Sequence, residues 1–449
     1  MLDDVAGRAK RWLDNIEDRP IPALATIDEA KTALGHILRD TGAEPAAVIE
    51  RLASAVEPGL ITMQSPRFFG WVIGGTQPVA LAADWLVSTW DQNACMRAVT
   101  PGVIAAEEIA GEWVLDLLGL PATAAVSFVT GATMANFVGL AAGRQYVLAD
   151  QGWDVNRDGL TGAPRIHFIA GEERHSSIDL AGRYLGLGEA TLVKSDAQGR
   201  IRVDLLADTF ADMPGPKILC LQAGNVHSGS FDDLWAAVEV GHAASAWVHV
   251  DGAFGLWAAA SPRYKSLMEG HVRADSWATD AHKTLNVPYD CGIAIVAHPE
   301  ALTGAFGSQA AYLPSDATGD TFDKVPEMSR RARGVPVWAT LNALGRHGVA
   351  SLVEGLADAA AALAAGLRTL PGAKVVNDVV FTQVCLAMAD DATTLAVGQR
   401  LNAEGVAFAS PSQWRGRAVL RFSVSNWATD ATDVERTVEA VRRAITSWG

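Results

Sequence analysis

Two stretches of the chain carry residues whose chemistry could be combined. The first, His249–Ala253, is an apolar run that ends in the acid Asp251 and two small residues. The second, Ser276–Thr284, is also apolar at its start and carries Lys283 near its end. A lysine amine forms a Schiff base with an aldehyde, and a carboxylate can hold the nitrogen of a pyridine ring protonated so that the ring accepts electrons.

Pyridoxal phosphate (PLP) is a cofactor that needs both groups. Most lysines lie at the protein surface, but Lys283 stands between two apolar, strand-like runs, where burial makes an amine a better nucleophile. Asp251 could instead cap a following helix. The apolar run before it favours burial, however, and a buried acid needs a cationic partner, which a pyridinium supplies. Ala253 is small enough for a flat ring to lie against the backbone.

A phosphate site is predicted where residues 130–136 follow an apolar run and open a helix. Backbone N–H groups at a helix start bind phosphate, Gly131 permits close approach, and Thr133 adds a hydroxyl. Many helices begin with Gly and Thr, so this motif supports a phosphate site only in combination with Lys283 and Asp251.

Two further polar sites follow predicted strands. His175 could stack on the cofactor ring and move protons, or it could simply be a hydrogen-bonded residue at a helix start. Asn225, in the stretch 223–229, could present a polar group to the cofactor. An ordinary Gly-Asn turn explains that stretch equally well.

The elements that must position these residues form an alternating pattern between about 124 and 300. Short apolar runs separated by helical stretches predict an α/β fold with a large, mostly parallel sheet that is covered on both faces. Ligands of such sheets bind beyond the carboxyl ends of the strands, which is where Asp251 and Lys283 fall. The predicted strands are Ala125–Val129, Arg165–Ile169, Thr191–Val193, Lys217–Leu221, Trp247–Val250, Ser276–Ala278 and Cys291–Ala297.

We expect three parts along the chain. Residues 1–60 are amphipathic and helical, and are expected to pack on a partner subunit. Residues 61–340 form the large PLP-binding unit. Residues 341–449 form a small C-terminal α+β domain, with a helix over Asp358–Leu367, strands over Val379–Ala387 and Ala418–Val424, and a final helix over Ala431–Trp448.

Composition narrows the function further. The 449 residues are 49% hydrophobic and carry a formal net charge of −15, which argues against binding to nucleic acid or to anionic membranes. We see no membrane-spanning segment and no secretory signal, and we expect a cytoplasmic protein. The four widely spaced cysteines predict buried, reduced thiols and no metal site.

Taken in order, these motifs resemble the group II PLP-dependent amino-acid decarboxylases, which include the aromatic amino-acid, glutamate and diaminobutyrate decarboxylases. The resemblance runs from about residue 50 to the C-terminus. It rests on the following segments: 65–70, 90–93, 131–136, 175–177, 250–253, 282–283, 301–306, 330–333 and 420–426.

The resemblance implies PLP fold type I, like that of aspartate aminotransferase, with a seven-stranded large sheet. It also implies a homodimer with active sites at the interface and decarboxylation of an L-amino acid to the amine and carbon dioxide. By the same resemblance Lys283 carries the Schiff base, Asp251 contacts the pyridine nitrogen and His175 stacks on the ring. Ala132 and Thr133 hold the phosphate, and His282, beside the lysine, belongs to the catalytic and cofactor-binding residues.

The sequence departs from this family at two places. Asn225-Val226 stands where members often carry Thr-Thr, so Asn225 or His227 is expected to make that cofactor contact. Many members also carry a tyrosine on a mobile loop that returns the proton to Cα. Here the loop 315–324 has no tyrosine, Thr321 or Phe322 stands at its place, and Tyr312 lies earlier. In the family this loss is linked to oxidative deamination, so an aldehyde product is an alternative.

The substrate and the reaction type are less constrained. Phe68, Phe69 and Trp71 favour an aromatic or apolar amino acid, although such residues are more often part of a core. Arg97 could bind a second carboxylate. An aminotransferase on the same fold is a further alternative, with Arg421 holding the substrate carboxylate.

Overall fold

A seven-stranded sheet forms the centre of the molecule. The computed structural model describes residues 1–308 and 319–446. The strand order is β2-β8-β7-β6-β5-β3-β4, and all neighbouring pairs are parallel except those that include β8. The strands of this sheet are β2 (Ala125–Val129), β3 (His167–Gly171), β4 (Thr191–Val193), β5 (Lys217–Gln222), β6 (Ala246–Asp251), β7 (Ser276–Asp280) and β8 (Gly292–Val296).

A second sheet has the order β1-β11-β12-β10-β9 and is built mainly from the C-terminal part of the chain. Its strands are β1 (Phe68–Phe69), β9 (Lys374–Val375), β10 (Gln383–Ala387), β11 (Phe408–Trp414) and β12 (Arg417–Ser423). β1 pairs in parallel with β11, so a segment that precedes the large sheet in sequence completes the second one.

Helices cover the sheets and connect the strands. They are α1 (Leu2–Asp14), α2 (Ile27–Leu34), α3 (Pro45–Val56), α4 (Pro78–Trp90), α5 (Pro101–Leu118), α6 (Ala132–Asp150), α7 (Val155–Asp158), α8 (Ser176–Tyr184), α9 (Leu206–Ala211), α10 (Leu234–Ala243), α11 (Pro299–Phe306), α12 (Gly334–Leu367), α13 (Asp391–Glu404) and α14 (Ala431–Thr446). The predicted α/β fold class is therefore confirmed.

Helix α6 lies closest to the strands that carry the site. It packs against β5, β6, β7 and β8. Gly139 and Gly143 make this approach possible, because a Cβ at either position would lie within 3 Å of the His249 ring or the Trp247 indole. The helix backbone is thus held directly over two side chains of β6.

The N-terminal helices bury little within the chain. α1 and α2 have no buried residue, and α3 has only Ala55. This segment is attached through a few hydrogen bonds, such as that from the backbone N–H of Ile21 to the carbonyl of Gly405.

Helix α12 is, within the described residues, the one helix long and apolar enough to cross a membrane. It is interrupted by Gly345, whose φ of 60° and ψ of 179° are not helical. The helix packs against α4, α5 and α14, and residues such as Val353 and Leu363 are fully buried. These contacts are those of a core helix of a globular protein.

Candidate active site

The carboxyl ends of three neighbouring parallel strands meet at one edge of the large sheet. Gln222 ends β5, Asp251 ends β6 and Asp280 ends β7, and the N-terminus of α6 lies at the same edge. They line a cavity of about 230 Å³. Its wall consists of Trp71, Val72, Gly131, Ala132, Thr133, His175, Ser177, Gln222, Gly224, Val226, Asp251, Ala253, Phe254, Asp280, His282 and Lys283.

Eight of the nine predicted site residues therefore line one cavity. Asn225 does not. Its amide donates to the carbonyl of Glu173 and to Gln222 Oε1, and its oxygen accepts from the backbone N–H groups of His227 and Ser228. These bonds close a tight turn, which is the alternative that the sequence left open, and the cofactor contact of Asn225 stays a prediction.

Lys283 projects into the cavity from the loop after β7. Its Nζ lies 2.7 Å from Asp280 Oδ2. Asn286 fixes this loop, because its amide donates to the carbonyls of Lys283, Thr284 and Ser425. A Cβ on Gly74 would lie 2.3 Å from the carbonyl oxygen of Lys283, so the chain passes tightly over the lysine.

Asp251 is buried, and its carboxylate accepts hydrogen bonds from neutral donors. The backbone N–H of Ala253 lies 3.1 Å from Oδ1, and Asn136 Nδ2 lies 3.2 Å from Oδ2. Burial raises the pKa of the Asp251 carboxyl, while His175 and Lys283 oppose that rise. A bound cation would stabilise the charged form further, so the position suits a protonated pyridine nitrogen.

His175 caps helix α8 and faces the same cavity. Its Nδ1 accepts a hydrogen bond from the backbone N–H of Ser177 and lies 2.8 Å from Ser177 Oγ. Burial lowers the pKa of the His175 imidazole. The ring is therefore held in the neutral form, which suits stacking on a cofactor ring.

The N-terminus of α6 offers donors for a phosphate. Gly131 is the N-cap residue and makes no side-chain cap, so the first backbone N–H groups lack the usual partner. One of them, Ala132 N–H, donates to Asp280 Oδ1 at 2.6 Å. These N–H groups suit a phosphate, and the Asp280 carboxylate lies at the same point.

His282 lies between this helix start and the loop. Its Nδ1 accepts from the backbone N–H of Cys291, and its Nε2 lies 3.6 Å from Asp280 Oδ2. Its ring packs 4.3 Å from that of Tyr289. Burial lowers the pKa of the His282 imidazole.

The aromatic residues predicted from the sequence divide between core and cavity. Phe68 and Phe69 are each 1% exposed and belong to the core, whereas Trp71 is 53% exposed and lines the cavity. Arg97 is paired with Glu108. Tyr312 and the loop residues 315–318 lie outside the described residues.

Sequence reasoning missed three contributors to the site: Asn136, Asp280 and Gln222. Asn136 and Asp280 stand inside the motifs that were singled out, but neither had been given a role. Their positions within those motifs, three residues after Thr133 and two before His282, were the available signal. Gln222 had no such signal.

Comparison with known proteins agrees with this geometry. The pyridoxal-dependent decarboxylase conserved domain matches residues 32–389. The chain belongs to this family. It is therefore a PLP-dependent carboxy-lyase that acts on an amino acid.

Relatives within the family differ in substrate. The chain is 25% identical to tryptophan decarboxylase 1 of Oryza sativa subsp. japonica, over 99% of this chain and 94% of that protein. It is 27% identical to human cysteine sulfinic acid decarboxylase, over 80% of this chain and 74% of that protein. The structure of Oryza sativa TDC with PLP and tryptamine has the same fold, with a TM-score of 0.93, 22% identity, and coverage of 99% of this chain and 97% of that chain.

Asp280 gives a testable prediction about cofactor binding. Asp280→Asn removes a negative charge beside the Ala132 N–H that we predict to bind the phosphate, and it releases Lys283 from its ion pair. We therefore expect PLP to bind up to about tenfold more tightly. Titration of the apoenzyme with PLP measures the dissociation constant. The control is Asp290→Asn. Asp290 lies on the same loop as Lys283, and this substitution removes a charge that is paired with Arg333. Weaker PLP binding by Asp280→Asn would contradict this role.

Proposed function

We propose that this decarboxylase converts an aromatic or other apolar L-amino acid to its amine and carbon dioxide. The observation that carries this proposal is the composition of the cavity wall. Trp71, Val72, Val226 and Phe254 supply apolar surface there. Within the described residues that line the cavity, the cationic and titratable groups are those we assign to the cofactor, so none is left for a side-chain carboxylate.

The predicted cofactor residues have separate roles. Lys283 would hold PLP covalently, Gly131, Ala132 and Thr133 would bind its phosphate, and Asp251 would keep its ring nitrogen protonated. When bound, PLP supplies the electron sink for the bond that breaks at Cα. His175 would cover one face of the ring and exclude water from it.

Arg421 is the residue we propose to bind the substrate carboxylate. It is 7% exposed, its Nε has no hydrogen-bond partner among the described residues, and its Nη1 donates at 3.3 Å to the carbonyl of Val226, a cavity residue. A buried guanidinium with an unused donor suits an anionic ligand. A carboxylate held at a fixed point can be oriented so that its bond to Cα breaks.

The product depends on how the proton returns to Cα. Phe322, one of the two residues at the place of the family's loop tyrosine, is 5% exposed, is the buried residue of a short 3₁₀ helix and carries no hydroxyl. This observation favours the aldehyde-forming reaction as a second candidate, in which molecular oxygen is consumed and hydrogen peroxide and ammonia are formed.

We further propose a cytoplasmic homodimer. A groove of about 660 Å³ between α4, α5 and α12 exposes apolar side chains, among them Trp90 and Val99, which are 48% and 57% exposed. In the N-terminal segment Ile37 and Leu38 are 87% and 97% exposed. A second copy of the chain would cover both surfaces.

The reaction is tested with a panel of L-amino acids. Carbon dioxide, amine, aldehyde and peroxide are measured together on PLP-loaded enzyme. We expect carbon dioxide and amine in equal amounts from aromatic or apolar substrates. Aldehyde and peroxide in step with carbon dioxide would replace this proposal by the second candidate, and accumulation of pyridoxamine phosphate without carbon dioxide would indicate a transaminase. Lys283→Ala should lose the absorbance band at about 420 nm that a lysine Schiff base gives.

The role of Arg421 is tested by Arg421→Met. Loss of one buried, charged hydrogen-bonding partner should raise KM at least about tenfold and leave the affinity for PLP unchanged. Arg417→Met, on the exposed end of the same strand, is the control and should behave like the wild type. An unchanged KM for Arg421→Met would show that another group binds the carboxylate.

The dimer is tested by Trp90→Glu. A charge in the apolar groove should shift the sedimenting species from dimer to monomer. Trp235→Glu, at a tryptophan that is 54% exposed on α10, is the matched control. A wild-type chain that sediments as a monomer at micromolar concentration would refute the proposal.

A further inference from the structure

A chain of buried polar side chains runs behind the Asp251 carboxylate. Trp247 Nε1 lies 2.9 Å from Ser276 Oγ, which lies 2.8 Å from His249 Nδ1. His249 Nε2 lies 2.8 Å from Asn136 Oδ1. All four side chains are 2% exposed or less. They come from β6, β7 and α6, and they were not among the residues predicted to act in the site.

The chain divides in two at Asn136. Asn136 Nδ2 donates to Asp251 Oδ2 at 3.2 Å and to Ser177 Oγ at 3.0 Å. Ser177 Oγ lies 2.8 Å from His175 Nδ1. One amide therefore connects the hydrogen-bond chain both to the acid predicted to contact the pyridine nitrogen and to the histidine predicted to cover the ring.

The acid at one end determines the direction of every hydrogen bond. An ionised Asp251 can only accept, so it requires the amide nitrogen of Asn136 to face it. Asn136 Oδ1 then accepts from His249, so the proton of a neutral His249 is on Nε2. His249 Nδ1 is left as an acceptor for the Ser276 hydroxyl, while Ser276 Oγ accepts from the Trp247 indole N–H, which is only a donor.

Asp251 thus demands one orientation of the Asn136 amide and one tautomer of His249, and the Trp247 indole is compatible with both. The opposite arrangement would place the Asn136 oxygen against the Asp251 carboxylate, where two acceptors repel each other. Burial lowers the pKa of His249 to about 3, which keeps the ring neutral and the chain intact. Gly139 leaves the space that the ring occupies.

We propose that Trp247, Ser276, His249 and Asn136 are positioning residues that act as a one-way hydrogen-bond chain. The chain orients the Asn136 amide, which favours the ionised form of Asp251. Asn136 also donates to Ser177 Oγ, which leaves the Ser177 hydroxyl proton for His175 Nδ1 beside the Ser177 backbone N–H, so that His175 presents its Nε2–H. This role rests on the proposed function, since it matters for catalysis only if Asp251 and His175 contact PLP.

The direction of the chain is tested without the cofactor. Two-bond nitrogen–proton NMR correlation on the full apoenzyme, labelled with ¹⁵N-histidine, reports which ring nitrogen carries the proton. We expect the neutral Nε2–H tautomer for His249 and His175, whose signals are assigned from His249→Phe and His175→Gln. A protonated Nδ1 or a charged ring at His249 near neutral pH would overturn the proposal. This result does not depend on whether the protein decarboxylates anything.

The consequence for the site is tested with His249→Phe, which keeps a ring of similar size but no donor. We expect His175 to keep its Nε2–H tautomer in the apoenzyme, because the backbone N–H of Ser177 still donates to its Nδ1. In the loaded enzyme we expect PLP to bind about tenfold more weakly and a shift in the pH dependence of the cofactor absorbance, because Asp251 loses a fixed donor. Ser276→Ala, a smaller change, should move the same signals in the same direction and covers the case in which His249→Phe does not fold.

Ser127→Ala is the matched control, since Ser127 is a buried serine of the same sheet outside the chain. It should leave the tautomers and the pH dependence unchanged. If His249→Phe and Ser276→Ala fold but leave the affinity for PLP and the pH dependence of the cofactor absorbance as in the wild type, the positioning role is wrong. If the wild-type apoenzyme gives the expected tautomers but never binds PLP, the proposed function fails while the direction of the chain stands.

Discussion

The buried carboxylate of Asp251 is the constraint on which the arrangement of the site depends. A carboxylate at a dry sheet edge is costly unless donors or a cation compensate it. The fold supplies Ala253 N–H from the same loop and Asn136 from α6, and the two glycines of α6 allow that helix to lie close enough. The large sheet, with β6 near its middle, therefore surrounds one charge, to which we assign the pyridine nitrogen of the cofactor as the remaining partner.

Residues beside the second sheet hold the loop that carries Lys283. Asn286, in the lysine loop, binds the carbonyl of Ser425, and its oxygen accepts from the backbone N–H groups of Gly75 and Trp427. Arg421 reaches the carbonyl of Val226 from β12. The large sheet thus positions the groups that we assign to the cofactor, while the second sheet holds the lysine loop and carries the residue that we assign to the substrate carboxylate.

The local sequence predicted many strands of the large sheet but few of the contacts between segments that are distant in sequence. The runs 125–129 and 191–193 match the strands residue for residue, because continuous apolar runs flanked by turn residues have few alternatives. β11 was missed because Phe408–Trp414 contains a proline and several polar residues. The pairing of Phe68–Phe69 with β11 joins segments far apart in sequence, so the sequence left open whether these rings lie at the substrate or in the core, where the structure places them.

The site residues show the same difference between local motifs, which the sequence predicts, and long-range contacts, which it does not. Lys283, Asp251 and the start of α6 stand in local patterns that a cofactor requires, and they line one cavity. Asn136 and His249 are 113 positions apart, and nothing in either local sequence indicates that they share a hydrogen bond. Such contacts arise only when α6 packs on β6, so their role follows from the packing.

Two acids at the ends of neighbouring strands show how the packing assigns roles. Asp280 is already compensated, since it binds the Lys283 ammonium and the Ala132 N–H. Asp251 accepts from neutral donors alone among its hydrogen-bond partners in the described chain. A cationic ring would gain more from the acid that lacks a bound cation. The difference between these environments, rather than the residue type, therefore favours Asp251 as the partner of the pyridine nitrogen and leaves Asp280 to act on the lysine and at the phosphate end.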